Sequence, residues 1–323
     1  MTELSQRLAD VHISTISLFV IVLTVIRLLL IRRNSSFARA IVEMADAALF
    51  ASVLMFMIVL PFLVKSFYIP SGSMRPTLVD DDHILVNKFL YRAKTPQRGD
   101  VVVFTAPDQA LATAAEHPDP GGAPTDYIKR LIGLPGDIVE VHAGVVKLGP
   151  VGSQQIKTHQ DVRSILQILD NDRQHVKFEP DGVEIWDGSS STPQRIDKDQ
   201  LADKLGFAGQ PIEIDPGYVV RNGKRLNEPY IAEDPEYDLK VVNGESLIRD
   251  DRGVHVDGQD FEGGYRGFIA AQSNPIPPGE VMVFGDNRND SNDSSRWGPL
   301  EQNRLVGRAF LIFFPFDRVG VIR

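Results

Sequence analysis

Eighteen consecutive residues without a charge, Ala47 to Val64 (AALFASVLMFMIVLPFLV), constrain this chain more than any other stretch. At the rise of an α-helix they cover roughly 27 Å, close to the thickness of a hydrocarbon core. Such a helix is apolar around its whole circumference, so it has no polar face to meet water and a membrane span is expected over residues 47–66. A buried core helix is the alternative. Pro61 falls near the far end, where a spanning helix tolerates it. A second run, Ile13 to Ile31, is apolar apart from Arg27, whose long side chain can reach the headgroups. The residues ahead of it hold Glu3, Arg7 and Asp10, and the basic pair Arg32 and Arg33 follows the run, which is unlike a cleavable signal peptide. Arg32, Arg33 and Arg39 place the linking loop, residues 32–46, in the cytoplasm. Residues 1–12 and the large body beyond the second span then lie on the other side.

Charge separates the two parts. Residues 1–67 hold six basic and four acidic residues, whereas the remaining 256 hold 28 and 39, a net −11. An acidic body lacks the electrostatic footprint of a nucleic-acid binder. With no cysteine, structural disulfides, cysteine catalysis and thiolate metal sites are excluded. The seven histidines (12, 83, 117, 142, 159, 175, 255) show no metal-ligand spacing, so each is read as packed or solvated. That weakens a serine–histidine–acid triad and leaves other bases available.

After residue 68 the chain changes to short β-rich runs separated by turn residues: His83–Asn87, Asp100–Phe104, Tyr127–Leu134, Asp137–His142, Val145–Leu148 and Glu280–Phe284. Asn222-Gly223 within YVVRNGKRLNEPYI marks a hairpin turn. Outside the membrane only Gln160–Asp170 reads as a helix, so the body is mainly antiparallel β. Residues 106–125 and 187–193 read as surface loops.

Two segments carry candidate chemistry. In PSGSMRPTL (70–78), Pro70 and Pro76 bracket Ser71, Gly72 and Ser73, a stiff polar turn that can fix a hydroxyl and backbone N–H groups. The plain alternative is a linker from membrane to domain. In YIKRLIGLPGD (127–137), alternation puts Tyr127, Lys129 and Leu131 on one strand face and Ile128, Arg130 and Ile132 on the other. Here the plain alternative is a lysine whose stem lies on apolar surface with its head in water. Together they fit a serine nucleophile with a lysine base. With an ordinary midpoint near about 10.4, only roughly one lysine in 2,500 is neutral at pH 7. Bringing that midpoint close to 7 means disfavouring the ammonium by about 4–5 kcal/mol, which desolvation can supply.

SGSMRPTL, YIKRLIGLPGD and GDNRNDSNDSSRWG (285–298) resemble the motif boxes of bacterial type I signal peptidases, membrane-bound serine–lysine proteases that remove signal peptides from exported proteins. RGDVVVF (98–104), LNEPYI (226–231) and LVGRAF (305–310) support the resemblance in the same order, while roughly 150–215 and 232–275 match poorly. It implies a catalytic β core over 67–139 and 278–323, a smaller β domain inserted at 140–277, and no cofactor or metal. It further implies Ser73 as nucleophile, Lys129 as general base, the Ser71 hydroxyl and Ser73 N–H as oxyanion hole, Ser291 as orienter of the lysine and Asp293 as a structural acid. The family pattern reads Asp-Ser-Arg where this chain has Asp293-Ser294-Ser295-Arg296, so either Arg296 or Arg130 is expected to pair with Asp293. Phe67, Ile69, Pro70, Met74, Leu78, Tyr127 and Ile128 are placed around two shallow pockets for an Ala-X-Ala-like cleavage site; core packing is the other role for each. The implied partners are preproteins with signal peptides, the lipid bilayer and a nearby secretion translocon, with the catalytic part outside the cytoplasmic membrane.

From Val64 to Ser73 is nine residues, at most roughly 30 Å of extended chain, which holds the hydroxyl near the membrane face. Two other readings remain. Self-cleaving repressors of the DNA-damage response share the catalytic fold, but they are soluble and bind DNA, against two spans and an acidic body. A catalytically silent membrane-anchored module that binds exported chains would bind an Ala-X-Ala peptide without turnover.

Overall fold

The computed structural model describes residues 13–30, 35–54, 64–111, 126–169, 175–186, 194–231, 233–256 and 258–323. The chain divides into two compact units, one of residues 1–69, 81–95 and 307–322, the other of 70–80, 96–306 and 323. The core expected over 67–139 and 278–323 is therefore shared between units.

In the first unit, helix α1 (Ile13–Leu30) packs on helix α2 (Ser36–Leu54), and Arg27 pairs with Asp46 across them. Helix α2 begins well before Ala47 and takes up most of the expected 32–46 loop. The reason is local: FARAIVEMADAAL is rich in the strongest helix formers. The far end of the expected second span also differs, because Val64, Lys65 and Ser66 open a strand, Val64–Tyr68. Residues 55–63, with Pro61, and 1–12 and 31–34, with Arg32 and Arg33, lie outside the described residues. Among the described residues no helix is long and apolar enough to cross a membrane. Strand Val64–Tyr68 pairs with His83–Asn87, which pairs in turn with Leu305–Phe314, all antiparallel. A fully buried Asp82 receives Arg318 Nε and Nη2 at 2.8 and 3.0 Å.

The second unit carries the site. Strand Asp126–Gly133 lies between Val101–Thr105 and Glu280–Phe284, with Leu300–Glu301 beyond, again antiparallel. Its last five residues and nearly all of both neighbours are buried, as a central strand's must be. Seven strands between Val139 and Asp260 form a second antiparallel sheet. Asn222 and Gly223 turn one of its hairpins with φ of 53° and 74°, the pair of positive angles a type I′ turn requires. Two three-stranded sheets complete the unit.

Helix His159–Leu169 overlaps the one expected over Gln160–Asp170, but helices also form at Lys198–Lys204 and Gly264–Ala270. The first of these two is fixed by a capping box, Asp197 with Gln200. One apolar cluster, including Val146, Val162, Phe178, Leu201 and Ile214, lies wholly within the insertion; another joins insertion residues such as Val141 and Leu239 to Ile132, Met282 and Phe284 of the site's strands. Among the described residues no strand pairs with the outer edge of strand His175–Glu179. Side chains close it: Val176 O lies 2.8 Å from His159 Nε2 and Phe178 N–H donates to Asp234 Oδ2 at 2.7 Å. Of the expected loops, residues 112–125 and 187–193 lie outside the described residues, whereas Ala106 and Ala110 are buried.

Candidate active site

Ser73 sits in one 3₁₀ turn, Gly72–Met74, entered through Ser71 in extended conformation (φ −141°, ψ 155°). Met74 and Leu78 are fully buried and anchor the turn, and Leu78 N–H donates to Met74 O at 2.9 Å. The leading N–H groups of a helical turn have no partner inside it. The exposed Ser71 makes no capping hydrogen bond to the turn.

Lys129 reaches the same place from the central strand. Its Nζ lies 2.9 Å from Ser73 Oγ and donates to Ile128 O at 2.9 Å, with the residue only 4% exposed. Burial lowers the amine from 10.5 to about 8, against the opposing pull of the Asp293 and Asp286 carboxylates. The Tyr127 ring centre lies 5.5 Å from Nζ.

A buried ion pair ties this strand to the loop at 285–293. Phe284 stands opposite Arg130 in the sheet, so the chain leaving that strand passes beside the guanidinium. Arg130 Nε and Nη2 donate to Asp286 Oδ1 and Oδ2 at 2.7 and 2.6 Å, and neither residue is more than 2% exposed. Thr77 Oγ1 donates to Asp286 Oδ2 at 2.5 Å. Asn287 holds the serine turn directly, its N–H donating to Ser73 O at 3.1 Å and its Nδ2 to Gly72 O at 3.2 Å. Gly285 is required by space: a Cβ there would lie 2.3 Å from Ser291 Oγ and 2.5 Å from Ser73 O.

Asp293 and Arg130 or Arg296 do not pair. Asp293 instead accepts Gly285 N–H at 2.7 Å and Ser295 N–H at 2.8 Å, capping the helix Ser294–Trp297. Arg130 is committed to Asp286, and Arg296 Nε donates to Ser291 O at 3.1 Å. Ser291 Oγ is buried against Gly285 with no hydrogen-bond partner, so it is not bonded to Lys129. Of the residues placed around substrate pockets, Tyr127 and Ile128 are half-buried and Pro70 is exposed, whereas Met74 and Leu78 are wholly enclosed and pack the core. Phe67 and the buried Ile69 belong to the other unit, where Ile69 N–H donates to Asp82 O at 2.9 Å.

Sequence reasoning gave no individual role to Thr77, Glu228, Tyr230, Asp286, Asn287 or Arg288. All lie inside the quoted motifs, the signal that marks them. Further out, Arg98 Nε and Nη2 hold Asp137 at 2.8 Å each. Burial pushes that carboxyl up, but Arg98, Leu134 N–H and Asn222 outweigh it and bring it to about 2.

A family model described as signal peptidase, peptidase S26, matches residues 41–188 and 204–314, which takes in every part of this site. The chain belongs to that peptidase family. Among its relatives, the probable signal peptidase I-1 of Synechocystis sp. is 28% identical over 273 residues, covering 83% of each chain. The probable signal peptidase I-2 of the same organism is 28% identical over 261 residues, 81% of this chain and 68% of the relative. The signal peptidase I of Pseudomonas aeruginosa is 27% identical over 314 residues, 84% of this chain and 77% of the relative.

Proposed function

We propose that this chain is a serine endopeptidase that removes signal peptides from preproteins, with Ser73 as nucleophile and Lys129 as its base. The observation that carries the mechanism is the 2.9 Å approach of a buried amine to a hydroxyl 56 residues earlier in the chain. With a midpoint of about 8, roughly one amine in eleven is neutral at pH 7, several hundred times more than for an exposed lysine. The neutral amine takes the Ser73 proton as Oγ bonds to the scissile carbonyl carbon. The developing oxyanion meets the Ser71 hydroxyl and Ser73 N–H, and each such donor is typically worth about 2.7–4 kcal/mol. Lys129 then returns the proton to the leaving amine, and the Ser73 ester is hydrolysed by water that gives its proton to the same Nζ. Ser291 borders the serine turn without bonding the lysine, and Asp293 acts by shaping the loop.

The two apolar runs of the sequence support anchoring in the bacterial cytoplasmic membrane with the catalytic part outside, at the depth of a signal peptide's cleavage site. Exclusion of residues larger than alanine from shallow pockets would set the Ala-X-Ala preference, with Tyr127 and Ile128 the half-buried candidates to line them. Purified chain in detergent, given a model preprotein, is expected to cut after such a site; Ser73→Ala and Lys129→Ala should not. Wild-type processing by either variant overturns the mechanism. Resistance of the full chain to alkaline extraction tests the anchoring, and its release would exclude it.

A further inference from the structure

Motif LNEPYI lies between two strands of the second sheet, far in sequence from both Ser73 and Lys129, yet its side chains reach the groups that hold them. The Arg130 guanidinium lies 3.9 Å from the centre of the Tyr230 ring, on its face. Tyr230 OH donates to Glu228 Oε1 at 2.9 Å. Glu228 in turn receives Arg288 Nη2 and Nη1 at 2.6 and 3.0 Å, both side chains being nearly or fully buried. Arg288 Nε donates to Gly285 O at 3.1 Å, one residue before the Asp286 that Arg130 grips. The contacts close a ring: Arg130, Tyr230, Glu228, Arg288, Gly285–Asp286 and back to Arg130. Burial and the Glu228 carboxylate push the Tyr230 phenol above its usual range, so it stays a donor to Glu228.

Resting on the serine–lysine reading, we infer that Tyr230 is a positioning residue for the reaction, its ring face holding Arg130 so that the neighbouring Lys129 and the loop at 285–293 keep their register with Ser73. A flat, electron-rich face is what a guanidinium needs where its in-plane N–H groups are already spent on a carboxylate and on Gly99 and Arg323 carbonyls. No other aromatic ring is described in cation–π contact with Arg130 among the described residues. Tyr230 touches neither Ser73 nor the amine, so its effect should fall on turnover rather than on substrate binding.

Lys129 faces the Ser73 hydroxyl, the Tyr127 ring, the Ile128 carbonyl and, through space, the Asp286 and Asp293 carboxylates. If Arg130 drifts from Asp286, that carboxylate is less neutralised and favours the ammonium. The acid limb of activity should then move to higher pH.

The test is steady-state kinetics of the full chain in detergent on a preprotein, comparing Tyr230→Leu with Tyr230→Phe, and with Ser73→Ala as reference. Expected for Tyr230→Leu is a kcat lower by about tenfold, an unchanged KM and a displaced acid limb. Tyr230→Phe, which keeps the face, should recover kcat to within about twofold. Tyr230→Met, unbranched and apolar, replaces the leucine variant if that does not fold. A folded Tyr230→Leu or Tyr230→Met with wild-type kcat, or a Tyr230→Phe as slow as they are, overturns the positioning role. An active Ser73→Ala overturns the underlying reading instead.

Discussion

Lys129 is the residue on which chemistry and stability meet. Its amine must lose a proton to act, so kcat/KM is expected to rise with pH and reach half its plateau near 8, where the buried amine titrates. The stability sign is the reverse of a salt bridge's. Because the folded midpoint of about 8 lies below the ordinary 10.5, the unfolded chain binds more protons between those values, and stability rises with pH across that window. Below pH 8 the whole cost of roughly 3 kcal/mol is present. Lys129→Met should therefore stabilise the protein by about 2–3 kcal/mol at pH 7 and by little above pH 10.5, read by urea denaturation at both. Equal effects at both would refute the burial cost. The pairing of Ser73 with Lys129 was legible through the motif resemblance; the proline-bracketed turn and the apolar strand alone fitted a serine with a lysine base but left a linker and a solvated lysine open. The partner of Asp293 was not, since it depends on which backbone N–H groups the folded loop brings to the carboxylate.

Among elements, the loop at 285–293 does most to hold the site. It leaves strand Glu280–Phe284 opposite Arg130, presents Asp286 to that guanidinium, and lays Asn287 across the carbonyls of the serine turn. Gly285→Ala forces the turn away from its place and should lower kcat by on the order of 10²-fold, a loss far larger than its change in KM. A variant within twofold of wild type would show that the turn can shift without consequence. Asp286→Ala strands a buried guanidinium and is expected to cost about 3–5 kcal/mol in chemical denaturation. The strands of this region were readable because β-branched alternation and flanking Gly and Pro set them locally. The seven-residue helices at Lys198–Lys204 and Gly264–Ala270 span two turns, too few to show a period, and are fixed by caps and packing. The early start of helix α2 has a related cause, since its first half carries charges that break the apolar run without breaking the helix.

Over the whole molecule, one apolar cluster lies wholly within the insertion, and a second joins other residues of the insertion to the strands that carry the site. Leu201→Ala, at a fully buried position of the insertion, should cost about 2–5 kcal/mol in that region while leaving kcat/KM for preprotein cleavage within about twofold. Loss of cleavage in a folded variant would show the clusters to be coupled. The insertion's length was plain from the sequence, and its division into one seven-stranded and two three-stranded sheets was not, because pairing between distant short strands leaves no local mark. The apolar runs that first constrain the chain speak for anchoring; the motifs beyond them place the chemistry.

Isotope-edited NMR of the Lys129 ε-amine in the folded wild-type protein is the most direct test of a serine activated by a desolvated lysine. A midpoint near 8 is expected. A titration at the ordinary 10.5 would contradict it.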